Sequence, residues 1–362
     1  MYILVLVLSL YFFFLLYALA PAADHEVGGV PKEIDGLSIV VPFRNEAKNL
    51  PELISSLEDV NFAFPVEFIF INDQSQDNSV SIVDSFNQSR IISTNREGKK
   101  FAILKGLDVA NYQWALTLDA DVKITQDFVF ALQALDVSHA KMFLFALSPQ
   151  HRPGPVSAFF DLEFIALQSI GIGMAQKENP ILSNGACLLF EKKAFAEANR
   201  ERTDYHIPTG DDIFGMFAIA DLYGSHAIEV AAAYPLVSVS FPEKMTTLFQ
   251  QRSRWISKTL DVPDGKYRVL AFMMGLIHLM PLAVFLALFF GLNRVDAVSL
   301  LFIKWSGEWI FFWVATRNFQ RRDLLLFLPL SQLLYPIYTF ALIVSGVRKK
   351  ILFRKSELNA AG

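Results

Sequence analysis

Four stretches of this chain are long and apolar enough to cross a membrane, and a more polar body lies between the first stretch and the other three. They cover residues 3–20, 269–292, 297–316 and 324–347. A spanning helix needs about 20 mostly apolar residues, and the first stretch carries no charge. We predict a transmembrane anchor over 1–23, a linker over 24–36, C-terminal membrane helices within 263–347 and a basic tail over 348–362.

A cleaved signal peptide is the alternative interpretation of the first stretch. A signal peptide begins with a basic region, whereas here no Lys or Arg precedes Lys32. The triplet Ala18-Leu19-Ala20 is typical of a cleavage site, but Pro21 directly after it disfavours cleavage. The pattern therefore favours an anchor that the mature protein retains.

The stretch over 297–316 differs from the others because it contains Lys304 and Glu308. These residues are four apart, so on a helix they share a face and can form an ion pair. Ionisable side chains are costly inside a membrane, which leaves an interfacial position as the alternative to a span.

Basic residues beside the apolar stretches predict the orientation of the chain. Five of them precede the first C-terminal stretch and place the polar body in the cytoplasm, at the inner or plasma membrane: Arg252, Arg254, Lys258, Lys266 and Arg268. If all three C-terminal stretches span, the basic tail lies outside, which contradicts the same rule. A re-entrant stretch is the alternative, and both topologies keep the polar body cytoplasmic.

Short apolar runs alternate with helical patterns along the polar body. Four runs predict buried strands: 37–42, 66–72, 90–94 and 114–119. The starts of the intervening helices are marked by Pro51, by Asp77 or Asn78, and by Gly98. This order predicts an α/β fold with a doubly wound, mostly parallel sheet in a domain over 37–262. Such sheets bind ligands beyond the carboxyl ends of their strands.

Composition narrows the classes of function. Lys and Arg total 32 against 36 Asp and Glu, so no basic excess indicates nucleic-acid binding. Only 19% of the residues are charged, against roughly 25% in soluble domains, which supports a membrane-bound part. Cys187 is the only cysteine, which excludes an internal disulfide and a cysteine-rich metal site. No GxGxxG follows the first strand, which argues against a dinucleotide-binding dehydrogenase.

Acidic side chains follow two of the predicted strands. Asp119 and Asp121 follow the fourth strand, and carboxylates spaced in this way suit Mg²⁺ or Mn²⁺. Asp73 follows the second strand and can face the same ligand. A solvated turn, and for Asp73 an Asx-turn, are the alternatives.

Two charged groups precede predicted helices. Lys99, directly after Gly98, can attract phosphate at a helix N-terminus, or it belongs to a solvated basic turn. Asp211 and Asp212 are adjacent, so their like charges raise the pKa of at least one, which suits a general base. An acidic pair that caps the helix is the alternative. His206 is a minor candidate beside this pair.

A third charged group lies on a helix just before the C-terminal stretches. Gln251, Arg254 and Trp255 share one face of that helix by their spacing. Arg254 can bind a diphosphate, and Trp255 can stack on a sugar. A juxtamembrane basic helix with an interfacial Trp is the alternative.

Seven motifs occur in a specific order along the chain. They are VVPFRNE, FINDQSQD, REGKKFAILKG, LDAD, SNGACLLFEKKAF, TGDDIF and QQRSRW. Together they resemble the membrane-bound family 2 glycosyltransferases with the GT-A fold and its DxD and QxxRW motifs. The resemblance covers residues 37 to 260, and it includes the flanking apolar stretches.

The resemblance implies a role for each matched residue. The nucleotide and donor site would contain Pro42, Arg44, Glu46, Asp73, Lys99 and Asp119, with Lys99 near the diphosphate. The metal, Mg²⁺ or Mn²⁺, would bind to Asp121 and Asp119, and Asp212, with Asp211 beside it, would be the catalytic base. The acceptor and diphosphate side would contain Asn184, Gly185, Gln251, Arg254 and Trp255.

Two departures from the family pattern stand out. Asn72-Asp73-Gln74-Ser75 replaces the usual DDGS, so only the second Asp of that motif is retained. Asp211 opens the acidic pair where the family usually has Glu, and this shorter side chain affects how an acceptor is positioned.

The expected function is the inverting transfer of a sugar from a nucleoside-diphosphate sugar. The resemblance implies UDP as the nucleotide and a role in cell envelope biogenesis. The membrane helices suggest a lipid, lipid-linked or polysaccharide acceptor. One alternative is a processive polysaccharide synthase whose helices form a channel. The other is a non-catalytic membrane scaffold, which leaves the carboxylates at the strand ends unexplained.

Overall fold

The structure is a computed structural model that describes residues 2–21, 32–200, 202, 210–242, 244–259, 261–262 and 264–361, without the side chains of 233, 258 and 349–361. Its strands are β1 (Leu37–Phe43), β2 (Val66–Asn72), β3 (Ser89–Ser93), β4 (Trp114–Leu118), β5 (Val122–Lys123), β6 (Met142–Pro149), β7 (Cys187–Glu191) and β8 (Ile228–Val239). Its helices are α1 (Tyr2–Leu19), α2 (Leu50–Glu58), α3 (Ser79–Asp84), α4 (Lys99–Val109), α5 (Gln126–Gln133), α6 (Pro155–Ala175), α7 (Lys192–Arg200), α8 (Asp211–Tyr223), α9 (Met245–Thr259), α10 (Gly265–Phe289), α11 (Arg294–Asn318) and α12 (Leu328–Ala361). Short 3-10 segments cover Ser225–Ala227 and Arg322–Phe327.

These elements form two compact units. The α/β unit comprises Pro21–His151 and Leu167–Phe241, and it contains β1 to β8. The helical unit comprises Met1–Ala20, Arg152–Ala166 and Pro242–Gly362. The chain therefore leaves the α/β unit near the start of α6 and returns to it within that helix.

The strands of the α/β unit form one mixed sheet in the order β3-β2-β1-β4-β7-β6-β8-β5. Strands β1 to β4 are parallel neighbours, as predicted, and each lies within one residue of its predicted bounds. The second half of the sheet was not predicted, and there β7 runs antiparallel to both β4 and β6. The α/β fold is confirmed, with a sheet that changes direction after β4.

Helix α4 packs directly on the first strand. Every residue of β1 is buried, which is typical of a parallel strand covered on both faces. Gly106 of α4 lies so close to β1 that a Cβ atom there would be 2.4 Å from Cγ1 of Val40. This close packing fixes α4 against the face of the sheet.

Five described helical segments meet the length and hydropathy of a membrane span: Tyr2–Leu19, Pro155–Ala175, Gly265–Phe289, Arg294–Asn318 and Arg322–Arg348. Four of them correspond to the predicted stretches. The other, α6, was not predicted, and most of its residues are buried by protein atoms, whereas only 22–33% of the residues are buried in each of the four. Protein thus surrounds the apolar side chains of α6, while the four exposed helices present the large apolar surfaces expected of lipid-facing segments.

A polar cluster around Glu308 joins helices within the helical unit. Glu308 and Lys304 are both buried and form the ion pair predicted from their spacing. The hydroxyl of Tyr11, on α1, donates to Oε1 of Glu308 at 3.1 Å. Nδ1 of His278, on α10, lies 3.8 Å from the same oxygen. Helix α1 is therefore held to the C-terminal helices by buried polar contacts as well as by apolar packing.

We expect Lys304→Met to destabilise the helical unit, because Glu308 then keeps a buried charge without its cation. Removing one partner of a buried ion pair costs about 3–5 kcal/mol in soluble proteins. A lower thermal midpoint of the detergent-solubilised protein is the expected result, and the double variant Lys304→Met/Glu308→Gln should recover part of it. Arg317→Met, on the exposed side of the same helix, is the matched control. Equal midpoints for Lys304→Met and the control would contradict the prediction.

Candidate active site

A cleft lies at the carboxyl ends of β1, β2 and β4, where parallel sheets place ligands. Its lining is Pro42, Phe43, Arg44, Glu46, Asp73, Lys99, Asp119, Ala120 and Asp121. The cleft therefore brings together every residue that the resemblance assigns to the nucleotide and the metal.

The loops after β1 and β2 lock each other in place at the rim of this cleft. The backbone N–H of Asn45 donates to Oγ of Ser75 at 3.1 Å, and Oδ1 of Asn45 accepts from the N–H of Gln76 at 2.8 Å. Asn45 and Gln74 both have positive φ, 54° and 60°. Gln74 stands where the family has Gly, so this backbone keeps a left-handed turn despite the substitution. Such strain is typical of ligand-binding loops.

Asp73 anchors the loop that leads into α4. Its two carboxylate oxygens accept from the backbone N–H of Gly98 at 3.1 and 3.0 Å. Gly98 has a φ of 118°, a conformation that residues with a side chain rarely adopt. Asp73 is buried, and its backbone N–H donates to the carbonyl of Phe43 at 2.9 Å. The structure thereby positions Lys99, the residue after Gly98, over the cleft.

Lys99 connects the two sides of the site. Its ammonium forms an ion pair with Asp119 and donates to the carbonyl of Gly185 at 3.1 Å. Burial alone would lower the pKa of Lys99, but Asp119, Asp212 and Asp211 more than offset it, so the pKa is raised. Lys99 is therefore a fixed cation beside the carboxylates, where a diphosphate would need one.

Asp121 lines the cleft beside Asp119. Its Oδ1 is buried and has no hydrogen-bond partner among the described residues. Burial, followed by the negative charges of Asp119 and Glu46, raises the pKa of Asp121 to about 8. A buried carboxylate oxygen with no donor needs a proton or a cation to compensate its charge.

These carboxylates fit a divalent cation held jointly with a substrate. Magnesium usually binds through one or two carboxylates, and substrate phosphates complete its shell. Among the described residues no group of three or more His, Cys, Asp and Glu side chains encloses a metal by itself. Asp121 and Asp119 supply the two hard oxygen donors that such a shared Mg²⁺ or Mn²⁺ site requires.

The second half of the sheet brings the predicted acceptor loop to the cleft. Because β7 is antiparallel to β4, the start of β7 lies beside the end of β4, and the N–H of Asp119 donates to the carbonyl of Ala186 at 3.0 Å. The preceding Asn184 accepts from the N–H of Ala186 through its side chain at 3.1 Å. Asn184 and Gly185 thus adjoin the donor carboxylates through the strand reversal.

Gly185 also contacts the predicted base. Its backbone N–H donates to Oδ2 of Asp212 at 3.2 Å. A Cβ atom on Gly185 would lie 3.1 Å from Cβ of Asp212 and 3.5 Å from Nζ of Lys99. Because Gly185 has no side chain, Asp212 can approach its backbone, and Lys99 links Gly185 to Asp119.

Asp211 points into a separate basic environment that the sequence did not reveal. Its Oδ1 makes no hydrogen bond but lies 3.6 Å from Nζ of Lys100 and 4.0 Å from Nη2 of Arg202. Burial raises the pKa of Asp211, and the cations Lys100 and Lys99 partly counter that rise. One clue was available: Lys99 and Lys100 occupy the first turn of a helix, where positive charge is unfavourable.

Gln251, Arg254 and Trp255 lie on α9, within the helical unit. On α9 Arg252 is buried, whereas Arg254 is exposed. Arg252 donates to Glu163 at 2.8 Å and to Gln251 at 3.0 Å, and its guanidinium lies 4.1 Å from the ring centre of Trp255. The sequence did not single out Arg252, because charge spacing alone does not distinguish a buried arginine from an exposed one.

Some predicted features lie outside the described residues. These are His206, Thr209 of the TGDDIF motif, residues 22–23 at the end of the predicted anchor, and most of the predicted linker, residues 24–31. The side chains of the basic tail beyond Arg348 are also outside the described set.

Comparison with known proteins places the α/β unit in a recognised fold. A mannosyltransferase from Pyrobaculum calidifontis, solved with GDP-Man and Mn²⁺, superposes with a TM-score of 0.56 at 16% identity, covering 90% of this chain and 94% of that one. At this identity the match shows the fold, which is GT-A-like.

The sequence relatives of this chain include enzymes that are named as sugar transferases or polysaccharide synthases. A poly-β-1,6-N-acetyl-D-glucosamine synthase from Staphylococcus epidermidis is 26% identical over 265 residues, 68% of this chain and 60% of that protein. A dolichol-phosphate mannosyltransferase from Saccharomyces cerevisiae is 33% identical over 125 residues, 32% of this chain and 45% of that protein. The chain thus spans about half to three fifths of the length of these curated relatives. The Glycosyl transferase family 2 profile matches residues 38–145, which hold nearly all of β1, all of β2 to β4 and every residue that lines the cleft, so this segment is a family 2 glycosyltransferase domain.

Proposed function

We propose that this protein is an inverting glycosyltransferase that moves a sugar from a nucleoside-diphosphate sugar to a lipid, lipid-linked or polysaccharide acceptor at a membrane. The observation that carries the proposal is the line of contacts from Asp119 through Lys99 and Gly185 to Asp212. It joins a cleft suited to a diphosphate and a cation with a carboxylate suited to proton transfer.

In this proposal Asp212 removes the proton from an acceptor hydroxyl. The acceptor oxygen then forms a bond to C1 of the sugar as the bond from C1 to the phosphate oxygen breaks, and the nucleoside diphosphate leaves with that electron pair. Lys99 and Arg44 hold the diphosphate, while Asp73 fixes the loop that carries Lys99. When bound to Asp121 and Asp119, Mg²⁺ or Mn²⁺ supplies positive charge for the leaving group.

The membrane location belongs to the same proposal. The four exposed apolar helices support a membrane protein, and the basic residues before the C-terminal helices support a cytoplasmic catalytic domain. Gln251, Arg254 and Trp255 would then border the acceptor and the diphosphate, as the resemblance implies.

A donor screen tests the proposed function. Membranes that contain the full chain are incubated with UDP-, GDP- and other nucleoside-diphosphate sugars, with Mn²⁺, with Mg²⁺ or with EDTA. We expect release of one nucleoside diphosphate that requires the metal and exceeds release by membranes with Asp121→Asn. If every donor gives the same release with both proteins, this chain is not the proposed transferase. Calorimetry with the same sugars then decides whether it binds them as a scaffold.

A processive synthase is the second candidate, favoured by the relative named poly-β-1,6-N-acetyl-D-glucosamine synthase. Product length separates the two candidates once a donor is known. A single added sugar on a lipid supports transfer without polymerisation, whereas a ladder on a gel supports a synthase.

A further inference from the structure

The two adjacent acids at the start of α8 face different surroundings. Asp212 accepts from the backbone N–H of Gly185, on the side of the cleft. Asp211 is instead enclosed by two cations, Lys100 from α4 and Arg202, which precedes α8. Without this difference in surroundings, the repulsion between two neighbouring carboxylates would raise the pKa of one of them.

The basic side of this arrangement is built into the core of the α/β unit. Lys100 is only 6% exposed, although lysine is among the residues least often buried. Arg202 is fixed by its own bond from Nη1 to Oδ1 of Asn199 at 2.6 Å. A buried lysine in the first turn of a helix opposes the helix dipole, so a nearby anion has to compensate it.

From this geometry we infer that Lys100, assisted by Arg202, is a positioning residue that keeps Asp211 as a paired carboxylate and leaves Asp212 as the proton acceptor. This inference rests on the proposed function, whose base it assigns within the acidic pair. Asp211 then fixes the N-terminus of α8 against α4, and Asp212 keeps its place at Gly185. The charges that face Asp211 are those of Lys100, Lys99, Arg202 and Asp212.

The direction of the pKa shift agrees with this division of roles. Burial raises the pKa of Asp211, and Lys100 is the largest opposing influence. Without Lys100, Asp211 would hold a proton at higher pH, and the acidic pair would titrate as a coupled unit. The pH dependence of turnover therefore reports on this contact.

The test is a double-mutant cycle between Lys100→Met and Asp211→Asn in the full chain, read by donor turnover. Lys100→Met should lower kcat at least tenfold, leave KM for the donor within about twofold, and move the acidic limb of the kcat profile to higher pH. Lys100→Arg should keep most of the activity. The double variant should lose no more than the worse single variant, because it removes both charges of one pair.

Lys105→Met is the matched control, since Lys105 lies on the same helix but is exposed and only 3.5 Å from Asp108 at the surface. The inference would be overturned if the fold-losses in kcat of the two single variants multiplied in the double variant. It would also be overturned if the acidic limb of the kcat–pH profile stayed in place in Lys100→Met. Neither result would contradict the proposed transferase. If the wild-type chain transfers no sugar, the proposed function fails. The readout is then the thermal midpoint of unfolding of the wild type, Lys100→Met, Asp211→Asn and the double variant. Independent midpoint shifts would then overturn the pairing of Lys100 with Asp211.

Discussion

Asp212→Asn is expected to reduce sugar transfer by about 10²–10⁴-fold, the usual contribution of a positioned general base. Asparagine keeps an oxygen that can accept the N–H of Gly185, so the start of α8 should retain its geometry. Donor binding should persist, because the side chains that line the cleft are unchanged. Turnover with saturating donor, measured beside the calorimetric affinity for that donor, checks both parts of the prediction.

Asp221→Asn is the control for this variant. Asp221 lies on the same helix and is exposed, so the same chemical change there should leave transfer unchanged. Wild-type turnover in Asp212→Asn would show that another group accepts the proton, and Asp211 would be the first to examine.

Asp121→Asn is expected to lower metal-dependent turnover by more than about 100-fold. Even groups behind the direct ligands of a metal contribute roughly 10–100-fold, and Asp121 offers a buried oxygen that no described residue satisfies. The amide oxygen that remains is a weaker, neutral ligand, so raising the Mn²⁺ concentration should restore only part of the activity. A titration of turnover against Mn²⁺ measures this effect.

Asp127→Asn provides the matched comparison, because Asp127 is an exposed acid in the first turn of α5, a few residues further along the chain. Its turnover and Mn²⁺ response should equal those of the wild type. An Asp121→Asn variant with the same Mn²⁺ titration curve as Asp127→Asn would remove Asp121 from the proposed metal site.

The donor side of the candidate site was accessible from sequence for a simple reason. Asp73 and Asp119 each follow directly on a buried apolar run, and parallel strands place all such ends at one edge of a sheet. The helix start at Gly98 was equally local, since a glycine before a helical pattern is a short-range feature. The order of the motifs along the chain then indicated the resemblance to family 2 glycosyltransferases.

The other half of the site depended on contacts between segments far apart in the chain. Nothing local predicts that β7 runs antiparallel to β4, yet this pairing carries Gly185 to Asp119 and Asp212. The burial of Lys100 against Asp211 is of the same kind, because the partners are separated by more than a hundred residues. The sequence of a basic motif does not show whether its lysine is solvated or lies against a carboxylate.

Local pattern by itself therefore determined the apolar helices, the parallel strands β1 to β4 and the acids at their ends, since each depends on residues that are neighbours in the chain. Only the tertiary structure decided which acid bonds to Gly185, which acid lies against buried cations, and that most of α6 is covered by protein. Burial and charge pairing arise where distant segments meet, and the free energy of an ionised side chain depends on those surroundings far more than on its sequence neighbours.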